Sequence, residues 1–493
     1  MTKSFYCLGF GRIRHGGKTM SLMLFFLLLA KPAFAFDTGH HSDLTKEALQ
    51  DQGFGETAIQ TVQVQNWLVD YFSNSPTSSI ERDVAKLHFD NLFTTEQIRN
   101  YWGRLSVNTR SAVQQAAREK DTLKLLTILG VSLHAVQDFY SHSNWVEAHP
   151  RSTSGPYRPE TWFDSPPGAG SSGLYTGSYP NMRPGATKLH GDYTTGLNKD
   201  SYVRPNWDQA YVFAYAGSRQ WVNAVRTWVN EIDPTFWGSV QAYSLSNTDR
   251  AALNFDLDAA YRLSEWVAVS GANGHWKGSG SGSATEFASF AARWTSATDS
   301  RFVKEFKVRG IHRLLINGLT SDGVTISPPP SAVPTVPKIA LNQRAIIVKT
   351  VQVAEKNDVG VFESKIDPGG KADFYAKITV AGQTFVEAMQ LDKSSVSPAW
   401  MTIKFVPAAT TQVPIRYELW DEDGGVRGDD DLCDINSTTG VRDLNFNFVV
   451  SSHNNTGNIT GVHDSRTTAV TSQGNKPDSD RAIVQFYVTE RPL

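Results

Sequence analysis

The sequence predicts a multidomain α plus β protein, with an all-helical N-terminal region followed by a C-terminal β-sandwich. Two observations carry this prediction. Residues 36–326 place apolar residues at three- and four-residue spacing, which is typical of helices that bury one face. Residues 338–493 contain short stretches in which apolar and polar residues alternate between turn residues, as in a sandwich. A chain of 493 residues is long enough for each region to have its own core.

The individual elements follow from the same patterns. The predicted helices include residues 44–48, 120–145, 210–229 and 254–270. A Gly/Pro/Ser/Tyr-rich passage at residues 150–184 is too long for a tight connection and indicates an ordered functional loop. Residues 327–337 form a Pro-rich, extended linker. Beyond the linker we expect strands at residues 345–351, 374–380, 401–406, 415–420, 444–450 and 483–488.

Residues 1–35 have the pattern of a secretory signal peptide. Basic residues precede an apolar run from Met20 to Ala30, and Ala33-Phe34-Ala35 is a small-x-small cleavage site. The run is too short to span a bilayer, so we expect export and a mature chain that begins at Phe36 without a transmembrane segment. A retained anchor is the alternative, and whether the exported protein stays in a periplasm is left open.

Charge and cysteine content narrow the function further. The formal net charge of −2 gives no sign of a nucleic-acid-binding surface, so nucleic acid is not a favoured partner. Cys433 is alone once Cys7 leaves with the signal peptide, so no disulfide stabilises the mature chain. Burial of apolar residues in the core or bound metal ions must therefore stabilise the mature chain. The oligomeric state is left open.

The most informative segment lies in the second predicted helix. His134, Asp138 and His142 fall four residues apart and therefore share one helix face. Burying three such groups in an apolar helix is costly unless a cation binds them. Imidazole and carboxylate suit a zinc-type metal, and the chain has no thiol cluster. A structural His–Asp pair in the helix core is the alternative interpretation.

Three further residues in the helical region are candidate partners for this helix face. His41 opens a predicted helix, Asp70 ends an apolar helical stretch, and His88 stands between apolar neighbours. Metal sites in helical bundles draw ligands from several helices that face one interior. Each residue alone is a weak signal, because a lone buried histidine is more often hydrogen-bonded than metal-bound.

Four segments, in their order along the chain, resemble the zinc-dependent phospholipase C superfamily, particularly its branch of fungal heterokaryon-incompatibility-C-like proteins. They are the segments around His41, Asp70 and His88, and residues 134–145. The superfamily also contains single-strand nucleases. The resemblance covers roughly residues 36–229 and is most specific from His134 to Trp145. It implies an all-helical domain with a cluster of usually three zinc ions. It also implies that the amino group of Phe36, where the family usually has tryptophan, binds one zinc ion beside His41.

The resemblance implies roles for the remaining ligands. His134 and Asp138 would bind a second zinc ion together with His88 and Asp70. Asp70 is also the implied catalytic base, which takes a proton from a metal-bound water, and Asp83 is the alternative for that role.

A third zinc site would begin at His142, but the resemblance loosens there. We nominate His190 and, less firmly, Asp208, with Asp192 and Asp200 as competitors. Residues that lie near the motifs but off their register are treated as surface or supporting residues: His40, Asp83 and His149.

The resemblance implies a secreted phosphoric diester hydrolase, namely a zinc-dependent phospholipase C that cleaves the glycerol–phosphate bond of membrane phospholipids. A multizinc site neutralises phosphate oxygens and activates water for such a reaction. Two alternatives stay open. One is a zinc-dependent single-strand nuclease, and the other is a non-catalytic, zinc-structured membrane or interaction protein.

Acidic residues cluster at the turns of the predicted sandwich. Carboxylates on flexible loop tips repel one another unless a cation is present, and oxygen-only ligands suit calcium. Their spacing resembles the C2 domain, a calcium- and lipid-binding sandwich, over roughly residues 338–450. The resemblance implies a phospholipid membrane surface as partner and five calcium ligands, with Asp358 as an extra one: Asp367, Asp373, Asp421, Asp423 and Asp429.

Overall fold

The computed structural model describes part of the chain: residues 38–73, 80–150, 159–178, 196–200, 202, 204–257, 300–319, 333–356, 366, 371–387, 389–390, 393–422, 430–475 and 480–493. The predicted signal peptide and most of the predicted helix at residues 254–270 lie outside these residues. All described residues belong to one compact unit, Phe34–Leu493.

The described part of the helical region contains five longer helices: α1 (Thr38–Gln50), α2 (Glu56–Ser73), α3 (Thr95–Glu119), α4 (Thr122–His142) and α5 (Trp207–Asn230). Residues 247–257 are also helical. Shorter helical segments are Glu81–Val84, Ala85–Leu87, Trp145–Ala148, Phe236–Gln241, Arg301–Val303, Lys304–Val308 and Ile311–Ile316.

Helix α4 is the central helix of this region. The Asp121 side chain caps its N-terminus by accepting a hydrogen bond from the Lys124 amide at 2.9 Å. Every residue from Leu123 to His142 is buried, because α4 packs against α2, α3 and α5. A helix that is apolar on all sides is expected in such a position, and its few polar residues therefore require partners inside the protein.

Gly130 allows α4 to approach α2 closely. A Cβ at this position would lie 2.6 Å from the Val62 carbonyl oxygen and 2.7 Å from Gln65 Cβ. The two backbones are therefore in direct contact here. One helical turn further along each helix, Asn66 of α2 faces His134 of α4, so the glycine brings the polar residues of the two helices together.

The described residues of the C-terminal region form two antiparallel sheets. Strand β1 (Gln343–Glu355) pairs with β12 (Ala482–Pro492), β4 (Ser395–Val396) and β5 (Met401–Pro407), and β11 (Val470–Gln473) pairs with β12. The second sheet has the order β10-β9-β8-β6-β2-β3, with β7 added beside β6. Its strands are β2 (Phe374–Val380), β3 (Gln383–Val386), β6 (Gln412–Asp421), β7 (Asp431–Leu432), β8 (Leu444–Val449), β9 (Asn454–Gly457) and β10 (Gly461–Val462).

The prediction of a helical N-terminal region and a C-terminal antiparallel sheet region is confirmed. Each predicted strand overlaps an observed one, and β2 has the predicted limits. The boundaries proposed for the domains and for the linker at residues 327–337 stay predictions. Among the described residues, no helix combines the length and the apolar character needed to cross a bilayer.

Candidate metal centre

The face of α4 that carries His134, Asp138 and His142 points into the protein. The three side chains are 0%, 0% and 1% exposed, respectively. Their neighbours form two clusters, which we call the His134 cluster (His41, Asp70, His88, His134 and Asp138) and the His142 cluster (Asp90, His142 and Asp200).

Asp138 is the centre of the His134 cluster. Its Oδ2 lies 3.0 Å from His134 Nε2 and 2.9 Å from His88 Nδ1, and its Oδ1 lies 3.0 Å from His41 Nε2. These three imidazoles come from α4, from the segment that follows Ala85–Leu87, and from α1. One buried carboxylate thus connects three parts of the helical region, and all its ion-pair partners in the described part of the chain are histidines.

Asp70 of α2 adds a second carboxylate to the His134 cluster. Its Oδ1 lies 3.7 Å from His134 Nε2 and 3.8 Å from His88 Nδ1. Two sets of three ligand atoms lie within 4.8 Å of one another: His41, Asp70 and His134, and His88, His134 and Asp138. Because His134 belongs to both sets, the geometry offers adjoining positions for a metal ion.

The orientations of two histidines are fixed by side-chain amides. The Gln137 amide oxygen lies 2.6 Å from His41 Nδ1, and the Asn66 amide oxygen lies 3.1 Å from His134 Nδ1. An amide oxygen only accepts hydrogen bonds, so each Nδ1 donates and each Nε2 carries a lone pair. Both Nε2 atoms face Asp138. Metal-bound imidazoles are held in this way by their surroundings.

The neutral state of the buried histidines suits metal binding. Burial lowers the pKa of His41 to about 3 and holds the pKa of His134 well below its usual value. Burial, followed by the charge of Asp70, raises the pKa of Asp138. Neutral imidazole is the form that binds metals, and a cation placed among these groups would offset the unfavourable burial of carboxylate charge.

The His142 cluster lies one helical turn further along α4. His142 Nδ1 donates to the His88 carbonyl oxygen at 2.8 Å, while His142 Nε2 lies 3.4 Å from Asp200 Oδ1. Asp90 Oδ1 is 3.5 Å from His142 Nδ1. Burial, followed by the charge of Asp200, raises the pKa of Asp90, and burial lowers the pKa of His142 to about 3.

Asp90 was missed by the sequence analysis, although it stands two residues after His88. The backbone around them turns sharply: Phe89, between the two residues, has a φ of 55°, and Asn91, after Asp90, has a φ of 64°, which non-glycine residues rarely adopt. This conformation directs both His88 and Asp90 towards α4, where they meet Asp138 and His142, respectively. A positive φ cannot be inferred from the residue types alone.

The remaining nominated ligands of the third site have different locations. Asp208 lies in the first turn of α5 and forms a salt bridge with Arg491 at 2.6 Å, whereas Asp200, named only as a competitor, contacts His142. Phe36, His190 and Asp192 lie outside the described residues. The residues set aside as supporting have other contacts: His40 packs on Trp207, Asp83 pairs with Lys86, and His149 stacks on Trp145.

In the sheet region, two of the five predicted calcium ligands can be placed. The Asp373 amide donates to Asp421 Oδ1 at 2.6 Å, at the end of β6, and Asp421 is buried. The other three, Asp367, Asp423 and Asp429, lie outside the described residues, as does the extra candidate Asp358. Zinc and calcium as cofactors, and a phospholipid surface as partner, stay predictions at this point.

The fold and the site together define a class of protein: a buried histidine–carboxylate centre within a helical region, followed by antiparallel sheets. Residues 44–155 match the family model described as the VWA7 N-terminal domain. This span contains every described residue of the two clusters except His41 and Asp200. Human von Willebrand factor A domain-containing protein 7 is 46% identical over 72 residues, which is 15% of this chain and 7% of that protein. The chain therefore spans less than a tenth of the length of this curated relative.

Several of the solved structures with similarity are C2-domain proteins. A C2 domain of plant extended synaptotagmin 1 is 13% identical, with a TM-score of 0.20, over 30% of this chain and 95% of that one. A C2 domain protein from Ramazzottius varieornatus is 13% identical, with a TM-score of 0.20, over 31% of this chain and 90% of that one. Human GIVD cytosolic phospholipase A2 is 13% identical, with a TM-score of 0.19, over 31% of this chain and 17% of that one. The strand pairing, rather than these similarities, defines the architecture of the sheet region.

These comparisons correct the function inferred from the sequence. The segment with the most specific motif matches the VWA7 N-terminal domain and not a zinc-dependent phospholipase C family. The interpretation of the chain as a secreted zinc-dependent phospholipase C is therefore wrong, and neither comparison supports a secreted hydrolase. The motif misled because histidine and carboxylate residues at four-residue spacing on one helix face occur in proteins of different function.

Proposed function

We propose that the helical region is a metal-binding module that holds a zinc-type divalent ion in the His134 cluster. The observation that supports this most strongly is the position of Asp138, whose two oxygens lie within 3.0 Å of three buried imidazoles from separate parts of the chain. Imidazole and carboxylate donors without thiolate suit zinc and similar first-row ions. Asp70, which lies on α2, completes the set of donors in the His134 cluster.

The proposed role of the ion is to join the elements that supply its ligands. Each donor is nearly inaccessible to water, since His41, Asp70, His134 and Asp138 are 0% exposed and His88 is 7% exposed. A metal ion bound by α1, α2, α4 and the segment around His88 would cross-link them in the folded state only. Its binding free energy would then contribute to folding, as it does in other structural metal sites.

The test is the metal content of the purified protein, measured by mass spectrometry after dialysis against zinc and gel filtration. We expect at least one tightly held zinc ion per chain in the wild type. The Asp138→Asn variant should lose it, because the carboxylate shared by three imidazoles is neutralised. Asp83→Asn is the matched control: Asp83 is partly exposed and pairs with Lys86, so its variant should retain the wild-type content.

Two results would contradict the proposal. One is a wild-type chain that emerges from gel filtration without metal, and the other is equal metal content in the wild type and the Asp138→Asn variant. A circular dichroism spectrum of each variant, recorded in parallel, establishes that a loss of metal is measured on folded protein.

A further inference from the structure

The sheet region contacts the same helix that carries His41. Lys404 of β5 reaches α1, where its Nζ lies 2.7 Å from Glu47 Oε1, and the Phe405 amide donates to Glu47 Oε2 at 3.2 Å. Glu47 is 2% exposed and Lys404 is 6% exposed, so both charges are buried between the two regions. Burying an ion pair is costly and is compensated only when both partners are well placed.

We propose that strand β5 positions helix α1, and with it His41, so that docking of the sheet region and metal binding stabilise each other. This inference rests on the metal binding proposed above. Glu47 and Lys404 act here as positioning residues, because neither touches the donor atoms of the His134 cluster. Coupling of this kind is reciprocal: if docking tightens metal binding, metal binding must tighten docking.

The edge of the first sheet explains why β5 is suited to this role. Among the described strands, β5 pairs only with β1, so its other edge presents backbone amides that require partners. Glu47 accepts one of them from Phe405, and the Phe405 ring stacks on Tyr215 of α5 with centroids 3.5 Å apart. The strand is therefore held by a hydrogen bond from α1 and by an aromatic contact from α5.

The contact between the sheet region and α1 extends to the residues beside His41. A cavity of ≈ 10 Å³ separates His40 and Asp43 of α1 from residues of β3 and β5, among them Phe385 and Thr402. The first turns of α1 and these strands therefore line the same small crevice. A shift of β5 would consequently move the segment of α1 from which His41 projects.

The first test is cobalt affinity, measured by competition titration, together with the visible absorption of the cobalt complex. In Lys404→Met, Glu47 stays buried without its cation, α1 is expected to move, and cobalt should bind about tenfold more weakly with an altered spectrum. The double variant Glu47→Gln/Lys404→Met removes both charges and should recover part of this affinity. A merely structural role would lower thermal stability without changing the spectrum.

Arg491→Met is the matched control. Arg491 also joins the two regions, through a salt bridge with Asp208 of α5, and no ion pair described for it involves α1. We expect it to lower thermal stability while cobalt affinity and the spectrum stay as in the wild type. Unchanged cobalt binding by Lys404→Met would overturn the proposal, and so would an equal loss in both variants. A wild type without cobalt affinity would instead refute the metal-binding function itself.

A second measurement needs no variant. Addition of zinc to the wild-type protein should slow hydrogen exchange of the amides in β5, above all that of Phe405, because its acceptor Glu47 lies on the ligand-bearing helix. Strand β8, in the other sheet, provides the internal reference. Zinc that protects α1 but leaves β5 exchange unchanged would refute the coupling while preserving the metal site.

Discussion

The helical region buries acidic side chains in two different ways. In the His134 cluster, Asp138 faces three neutral imidazoles, and none of its ion-pair partners among the described residues is a lysine or an arginine. Glu47, on α1, faces the ammonium group of Lys404 at 2.7 Å. Both carboxyls are buried, with exposures of 0% and 2%. Among the described residues, the chain supplies a compensating cation to Glu47 and none to Asp138.

This difference determines whether pH or metal concentration changes the energy of each buried carboxyl group. A carboxylate paired with lysine carries part of its compensation into the folded protein, so its energy depends on pH but not on added ligands. A carboxylate among neutral histidines gains full compensation only from a bound cation, so its energy depends on metal concentration. Changes that act on one site and spare the other therefore separate the two kinds of burial.

Metal removal should have the largest effect. If the wild type is held at a zinc concentration a thousandfold above its dissociation constant, chelation should lower the free energy of unfolding by about 4 kcal/mol. Chemical denaturation with and without chelator measures this difference. The Asp138→Asn variant should be insensitive to the chelator, and Lys404→Met should keep part of the response. If chelation changed the stability of the wild type as little as that of Asp138→Asn, the distinction between the two sites would be wrong.

The pH dependence of stability should distinguish Glu47. Burial outweighs the attraction of Lys404 and raises the pKa of Glu47 from 4.5 to about 7. Since the folded-state value is the higher one, this group stabilises the fold fully below pH 4.5, and the contribution is lost as pH rises through about 7. The difference in unfolding free energy between wild type and Glu47→Gln should therefore change by on the order of 3 kcal/mol over this window.

Chemical denaturation at a series of pH values, in the presence of chelator, separates the contribution of Glu47 to stability from that of metal binding. Glu56→Gln is the control, since Glu56 is exposed and lies 3.9 Å from Lys46. It should reproduce the wild-type profile. A Glu47→Gln profile parallel to the wild type would show that the Glu47–Lys404 pair keeps its charge throughout, and the predicted pH response would be wrong.

Whether a residue of the candidate site could be predicted from the sequence depends on the backbone segment that positions its side chain. His134, Asp138 and His142 share one helix, and a four-residue spacing places them on one face without further information. Asp90 and Asp200 reach His142 from irregular segments, whose paths depend on backbone conformations such as the positive φ of Phe89. Glu47 and Lys404 are 357 residues apart, and alternation in β5 gives no sign of a helix at its edge.

Within α4, the sequence analysis also passed over Gly130, although it precedes His134 by one helical turn. A glycine in a helix interior lowers stability unless a close contact requires it. Here the contact is with Val62 and Gln65 of α2, and it sets the distance between the helices that carry Asp70 and Asp138. Helix spacing is a property of two surfaces, so neither sequence segment shows it alone.

Substitution of Gly130 by leucine should have the smallest of the three effects. The new side chain would collide with the α2 backbone, and such overpacking costs about 1–3 kcal/mol. Because α2 carries Asp70, its displacement should also weaken zinc binding, whereas the pH response of Glu47 should persist. Calorimetric zinc titration and denaturation in chelator measure the two quantities.

Gly238→Ala serves as the matched control for this substitution. Gly238 lies in the helix Phe236–Gln241, and an added Cβ there meets nothing within 4 Å. Alanine should leave stability unchanged or raise it slightly, with unaltered zinc affinity. If Gly130→Leu retained wild-type zinc affinity despite its loss of stability, the spacing of α2 and α4 would not govern the metal centre, and the ligands from α1 and α4 would suffice to hold the ion.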